Sequence, residues 1–558
     1  MKNTFYILLL LLATLSVQSQ KINFAISSQN TYEQRVIDSI GYQKIHATEA
    51  TIKQTSEELK NQLQKMGYIY ATVSTPIFED KTSAIADATL HTIFENALIY
   101  NERIASEEKS GKIEEDSIII PFTSIESYLE NITRQLELEG YSMAKVQLSN
   151  FRESGKTLIA DLVINKGAIR KISEIVINGI KNFPQGHRKN IERLFKNSTF
   201  TQSNIQNIRK EFDKLPFVQQ TKNPEILFTT DTTKVYVYLE KANSNRFDGI
   251  VGFANDEESS KLIFNGYLDL QLNNALNSGE TFELYWKSDG QKQTTFKSNI
   301  ELPYILKSPF ALKANLHIFK QDSTYQNTKT SIEAGFYLTY NKRFFGGYQS
   351  TESSDIQNLN SSSIKDYKNS FFTAAFEYID YKPELTLFPY KTSLSAKIGV
   401  GQRTSATDKI PQAFIETNFE NNFYLNSKNI LWVRNTNYFL QSKEYILGEL
   451  FRFGGSRSIR GFDENQLQGN MALLLTTEYR YLLSSTLYAH SILDYGYYTD
   501  DNQSISANAN NSLIGAGIGF GISTKIGLFN ISYANGFRTK ERLDTQNSIV
   551  HISFNTQF

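Results

Sequence analysis

The sequence predicts an exported protein in which α+β repeats precede an all-β, 16-stranded antiparallel transmembrane barrel. Three observations predict it. An apolar run follows the first few residues, a motif recurs 73 residues on between Gly67 and Gly140, and apolar and polar residues alternate between regularly spaced turns from Arg246 to Phe558.

Met1-Lys2-Asn3 leads into the apolar run from Tyr6 to Leu15 and then Ser16-Val17-Gln18-Ser19-Gln20. One positive charge, a short apolar core and small residues at the cut predict a secretory signal peptide over residues 1–19, cleaved after Ser19 or Gln20. No later run reaches the roughly 18 apolar residues that a transmembrane helix needs. A membrane-spanning form of this chain is therefore a closed barrel, in which every backbone group is paired.

The chain has 558 residues with 58 basic and 58 acidic side chains, so it has no basic excess and nucleic acid is excluded as a partner on charge. It has no cysteine, which removes disulfides, thiolate chemistry and a lipid-modified N-terminal Cys. The histidines (His46, His91, His187, His317, His490 and His551) form no pair at helical ligand spacing, so no metal and no cofactor is predicted. The chain has no P-loop, no H-E-x-x-H and no G-x-S-x-G, which argues against an enzyme. Tyr (31) and Phe (38) are abundant, as strands with one apolar face require.

Residues 20–242 read as three α+β units, at 20–97 (degenerate), 98–167 and 168–242. Leu63 to Val73 and Leu136 to Val146 share the frame L-x-x-x-G-Y-x-x-A-x-V, in which a glycine closes a helix before a strand. Ile52, Leu59, Leu63 and Met66 supply the first helical stripe, and no clear helix is read between Lys21 and Gln34. In the second unit Thr123-Ser124-Ile125-Glu126 reads as a capping box ahead of Ile125, Leu129, Ile132 and Leu136. The third unit reads strand, helix, helix, strand, strand, from Lys171 to Leu239.

Residues 243–558 form the predicted barrel, with eleven strands before a loop at 441–468 and five after it. In the last strand Val550, Ile552, Phe554, Thr556 and Phe558 share the face that meets lipid. Gly515-x-Gly517-x-Gly519-x-Gly521 has the wrong spacing for a dinucleotide site, and suits a barrel face smoothed for close approach of a loop. The Gly249 to Gly252 region of the first strand suits a weakly paired seam, a turn or a packing contact.

The loop carries Phe453-Gly454-Gly455-Ser456-Arg457-Ser458-Ile459-Arg460-Gly461-Phe462. Alternation on the next two strands turns Glu478 and Asp494 inward, so an inward-folded Arg460 is predicted to form a lumenal latch with Glu478 or Asp494.

The three units resemble POTRA domains, and with the barrel nearly the whole mature chain resembles the BamA and TamA superfamily of outer-membrane assembly and secretion proteins. Three such units fit the TamA-like branch best. The resemblance implies that Ile459, Arg460, Gly461 and Phe462 fold into the barrel and stabilise it, and that Phe554 and Phe558 belong to a C-terminal barrel signal. It also implies periplasmic POTRA units that receive unfolded outer-membrane or secreted polypeptides, and a first-to-last strand seam that opens laterally into outer-membrane lipid. An inner-membrane tether or periplasmic accessory proteins are further implied partners. The alternatives are a two-partner secretion transporter with one dedicated substrate, and a passive pore or receptor.

Overall fold

A computed structural model describes residues 21–80, 82–100, 117–255, 262–289, 293–322, 324–357, 364–381, 387–388, 390–406, 408–501, 511–524, 527–538 and 548–557. The expected signal peptide, the acidic stretch from Glu107 to Asp116 and Phe558 lie outside them. The chain divides into two compact units, residues 1–170 with 199–201, and residues 171–198 with 202–558.

The first unit holds two α/β segments. The earlier one runs strand Ile22–Ser27, helix α1 (Thr31–Ile40), a two-residue strand Ile45–His46 that pairs with Ile22–Ser27, helix α2 (Glu49–Lys65), then two short strands, Thr72–Val73 and Ile77–Phe78, and strand Ser83–Thr89. Ser83–Thr89 is central, parallel to Ile22–Ser27 and antiparallel to the two short strands. Ile37, Ile52, Leu59 and Leu63 close the core from the helices. Two helices are predicted only for the third segment, so the earliest is richer than its sequence suggests. Its central strand carries Ala84, Ala86 and Ala88, residues of low strand preference, which hides it from pattern reading. Helix α1, where no clear helix was expected to begin, is capped by Asn30, whose side chain accepts from the Tyr32 amide at 2.9 Å.

The later segment holds strand Asn96–Tyr100, strand Ser117–Pro121, helix α3 (Ile125–Leu138), and strands Lys145–Ser154 and Thr157–Asn165. Asn96–Tyr100 pairs with Ser117–Pro121 and Thr157–Asn165, so the division between segments falls ahead of Asn96, not at 97. The predicted capping box does not form. Residues 122–124 make a 3-10 turn that runs straight into α3, leaving Ser124 without a side-chain cap, and Glu126 instead pairs with Lys65 at 2.7 Å. Met66, assigned to the apolar stripe of α2, is its exposed C-terminal cap.

The repeated glycine frame has one physical meaning in both copies. Gly67 and Gly140 adopt φ of +105° and +100°. The Tyr68 amide reaches back to the Leu63 carbonyl at 3.0 Å and the Tyr141 amide to Leu136 at 2.9 Å, with Gly67 and Gly140 donating to Gln64 and Glu137. These are paired Schellman closures, which need a left-handed residue at the glycine.

The second unit opens with the third α/β segment. Its elements are strand Glu174–Asn178, helices α4 (Gln185–Phe195) and α5 (Gln202–Asp213), and strands Val218–Gln220, Glu225–Phe228 and Thr233–Lys241. Thr233–Lys241 is its central strand, parallel to Glu174–Asn178 and antiparallel to the other two.

Sixteen strands then form a closed antiparallel barrel, numbered on their own. They are β1 (Arg246–Asn255), β2 (Leu262–Asn273), β3 (Thr281–Ser288), β4 (Gln293–Leu302), β5 (Phe310–Gln321), β6 (Tyr325–Thr339), β7 (Lys342–Asp355) and β8 (Tyr367–Tyr381). The circuit continues through β9 (Tyr390–Thr404), β10 (Lys409–Tyr424), β11 (Asn429–Gln441), β12 (Met471–Leu482), β13 (Leu487–Thr499), β14 (Asn511–Ser523), β15 (Gly527–Arg538) and β16 (Ile549–Gln557). Eleven strands precede the long loop and five follow it. Period-two alternation sorts their side chains: Val550 and Ile552 are 55% and 60% exposed on the outer face, whereas Asp494, Glu478 and Arg403 are buried inside.

Consecutive strands share eight or more residue pairs, as between β2 and β3 or β15 and β16. Among the described residues closure between β1 and β16 uses two, Arg246 with Gln557 and Phe247 with Thr556. Gly249 and Gly252 pair with Leu268 and Asn265 of β2 but lie beyond the β16 pairing, so a packing contact to β2 and a weakly paired seam coexist there.

The third α/β segment docks on the barrel turn between β4 and β5 through α4. Asn190 donates from Nδ2 to the Lys307 and Ser308 carbonyls at 3.3 and 3.2 Å. His187, 1% exposed, stands edge-on to Tyr304 (4.8 Å between ring centres) and Phe217 (5.4 Å), and neither ring nitrogen has a hydrogen-bond partner. Gly279, at φ +78°, comes so close to this ring that a side chain there would strike it. Burial pushes the His187 imidazole down to about 3 from an ordinary value near 6.5. Between those values the unfolded chain binds the extra proton, so stability is full above pH 6.5 and declines as pH falls through the window. Once the pH dependence of intrinsic exchange is divided out, amide protection in α4 and at 303–308 should fall on going from pH 7.5 to 5, by up to about 2 kcal/mol, and His187→Leu should flatten the slope.

Candidate functional site: the loop inside the barrel

The chain leaves β11, turns through a 3-10 helix at Leu447–Glu449 and makes a two-stranded base, Phe451–Phe453 against Leu467–Gly469, before entering β12. The tip between these arms is shaped by left-handed residues: Gly454, Gly455 and Gly461 have φ of +114°, +91° and +87°. The Gly455 amide donates to the Phe462 carbonyl at 3.0 Å, closing the tip on itself.

An apolar cluster seats this tip on the inner wall. Ile459 (0% exposed), Phe453, Phe462 and Leu467 pack with Ala472 and Leu474 of β12, Tyr498 of β13 and Leu513 of β14. The fit requires glycine on the wall. A Cβ on Gly515 would run into the Arg460 carbonyl oxygen, and one on Gly536 into the Gly461 carbonyl, so the loop backbone lies against bare strand backbone. Of the alternating glycines, Gly515 receives the loop, while Gly519 and Gly521 make room for the His490 and Tyr488 rings.

Arg460 carries the polar part of the contact. Its Nε and Nη2 donate to the two oxygens of Asp494 at 2.8 and 2.6 Å, and its backbone amide donates to Asp494 Oδ2 at 3.0 Å. Its Nη1 donates to Glu478, and Nη2 also reaches the Thr477 carbonyl at 3.1 Å. Asp494, wholly buried, takes a fourth donor from the Thr477 amide at 3.2 Å. Glu478 is shared with Arg480, whose Nε lies 2.7 Å away. Arg480 is braced by Asn422, and the Trp432 ring lies beneath both guanidiniums. A bidentate fork on a buried carboxylate is directional, so it fixes the loop's register as well as its charge.

The structure thus brings Ile459, Arg460, Gly461, Phe462, Glu478 and Asp494 together, and Arg460 uses both acids. Phe554 stands apart on the outer face. Sequence reading missed the loop's other holds. Arg457 pairs with Asp269 of β2, Glu464 with Lys287 of β3 at 3.1 Å, and Arg452 donates to the Tyr325 hydroxyl of β6 at 2.6 Å. The deepest is Glu449, which pairs with Arg403 of β9 and accepts from Gln412 Nε2 at 2.9 Å. Alternation turns Asp269, Lys287 and Arg403 inward, but nothing in the sequence shows which of them meets the loop.

A closed barrel with an apolar exterior, an ion-paired interior and an inward-folded loop, preceded by α/β segments, defines an outer-membrane β-barrel of the assembly and transport class. The chain belongs to the Omp85 superfamily, whose domain matches residues 274–558, just over half of it. Among solved structures it is similar to CdiB from Escherichia coli (14% identity, 95% of this chain and 100% of that one, TM-score 0.52). It is likewise similar to CdiB from Acinetobacter baumannii (13%, 90% and 97%, TM-score 0.52). A further match is BamA from Haemophilus ducreyi lacking POTRA domains 1-3 (16%, 81% and 95%, TM-score 0.45). No curated protein sequence matches. The protein therefore sits in the outer membrane with POTRA segments in the periplasm, and its strands make the crossing. Since β1 follows the periplasmic third segment, the long loop enters from the opposite, extracellular end.

Proposed function

We propose that this protein receives unfolded polypeptides on its periplasmic segments and assists their insertion or export through the barrel and its lateral seam. The observation that carries this reading is the two-pair closure between β1 and β16. Among the described residues β1 has no β16 partner beyond Arg246 and Phe247, and unpaired strand edges recruit extended segments through main-chain hydrogen bonds without demanding a sequence. No bond is made or broken; the work is the lowering of an insertion barrier. In this reading Arg460 is a latch that holds the loop in the lumen while the seam opens.

A transporter for one dedicated substrate is the second reading, favoured by the fold likeness to CdiB. Against it, helix α1 is built into the core of the first α/β segment through Ile37, which is not what a free plugging helix would do.

The chain has no cysteine, so a seam disulfide between Phe247→Cys and Thr556→Cys gives a clean test. Oxidation should abolish assembly of outer-membrane proteins in cells depleted of the wild-type copy, and reduction should restore it. Full activity with the seam oxidised contradicts the lateral route. Loss of a single secreted protein, with other barrels intact, selects the dedicated transporter.

A further inference from the structure

The inner wall is ion-paired along most of its length, and the exception is a row crossing β4, β5 and β6. Lys297, His317 and Lys329 are direct cross-strand partners, Lys297 with His317 and His317 with Lys329. All three belong to the inward-facing set, continuing the row from Tyr285, over which both Lys297 and the loop's Arg457 lie. Four residues further along the same strands, Glu301, Lys313 and Glu333 are also direct partners, but there the signs alternate. Lys313 finds Glu301 at 3.5 Å and Glu377 at 2.7 Å, and Glu333 holds Lys397 at 2.5 Å. Among the described residues neither Lys297 nor Lys329 forms an ion pair, whereas Lys287, Arg343, Arg403 and Arg434 each do; Glu416 of β10 acts on both lysines through its charge but is in ion-pair contact with neither.

Like charges directly opposite on neighbouring strands oppose folding. Two ammonium groups flanking an imidazole, open to the lumen and without a committed carboxylate, are therefore arranged for an external anion. We propose that Lys297, His317 and Lys329 form a lumenal binding strip for a phosphate group. A single carboxylate neutralises one of the two lysines, whereas a phosphate monoester carries nearly two negative charges and three acceptor oxygens, enough for both ammoniums and the ring. Free phosphate and a phosphomonoester headgroup, as in phosphatidic acid, offer the same chemistry. The inference is independent of the polypeptide-handling role.

Lysine acetylation footprinting of the full-length protein, read by mass spectrometry, tests it. In maltoside detergent and phosphate-free buffer, inorganic phosphate should slow acetylation of Lys297 and Lys329 about five-fold relative to sodium chloride of equal ionic strength, leaving exposed Lys53 unchanged. Lys297→Gln should abolish the protection of Lys329. Protection in nanodiscs containing phosphatidic acid but not in digalactosyl-lipid nanodiscs, both free of added phosphate, assigns the headgroup as source; protection only on adding phosphate assigns the free ion. Equal slowing by chloride, protection by oligoglutamate and not by phosphate, or an unaltered footprint of Lys329 in Lys297→Gln overturns the proposal.

Discussion

Replacing Arg460 by alanine should lower the temperature at which the folded barrel unfolds in heat-modifiability gels, without removing the protein from the membrane. The substitution strands Asp494, which is wholly buried and takes three of its four donors from Arg460. The backbone amide remains, but the guanidinium and its charge are gone. Removing one member of a buried ion pair costs on the order of 3–5 kcal/mol, because the remaining charge is left uncompensated. Glu478 suffers less, since Arg480 stays beside it at 2.7 Å. Asp494→Asn should therefore destabilise more than Glu478→Gln. Arg460→Lys should recover only part of the loss, because an ammonium keeps the charge but cannot make the two-pronged contact. An unfolding temperature for Arg460→Ala equal to wild type contradicts the latch.

The second large effect is expected at Gly461, where two independent costs coincide. Its φ of +87° is unfavourable for a residue with a Cβ, at about 1 kcal/mol. The added methyl would also run into the Gly536 amide and the Asn535 carbonyl carbon, which are strand backbone and cannot move aside by changing rotamer. Overpacking of that kind adds about 1–3 kcal/mol. Gly461→Ala should thus unseat the loop tip, and external trypsin should cut intact cells at Arg457 or Arg460 faster than in wild type. Gly496→Ala is the control, because its Cβ would meet side-chain ends alone, those of Ile459, Leu474 and Leu513 at 3.0, 3.2 and 3.4 Å. Equal trypsin resistance in Gly461→Ala and wild type would place the loop's hold elsewhere.

The barrel was legible in the sequence because its physics is periodic. Lipid outside and water inside impose a two-residue repeat on every strand, and the chain must mark each reversal with turn residues. That alone places Glu478 and Asp494 on the inner face. The glycine frame at Gly67 and Gly140 was legible for a similar reason, since a Schellman closure admits few residues at its left-handed position.

What was not legible depends on tertiary contact. Arg457 and Asp269 meet across the lumen while 188 residues apart in the chain, and each alone looks like an ordinary polar strand or loop residue. The Glu449 to Arg403 pair is hidden in the same way, with no glycine motif beside it to attract notice. In the first α/β segment the failure was local. Alanine in the central strand and a polar start to α1 both contradict propensity, and packing around Ile37 and Leu59 overrides them. The capping box at Thr123 failed because the backbone found another route into α3 through a 3-10 turn.

A latch requires Arg460 and Asp494 to act as one unit, and a double-mutant cycle on barrel unfolding measures that directly. Arg460→Ala, Asp494→Ala and the double variant should be compared with wild type in the same heat-modifiability assay. The proposed latch predicts strong non-additivity, with the double variant losing far less than the two single losses combined, because no uncompensated charge remains at that contact. Losses that simply add would show that the two residues stabilise the barrel independently, and would contradict it.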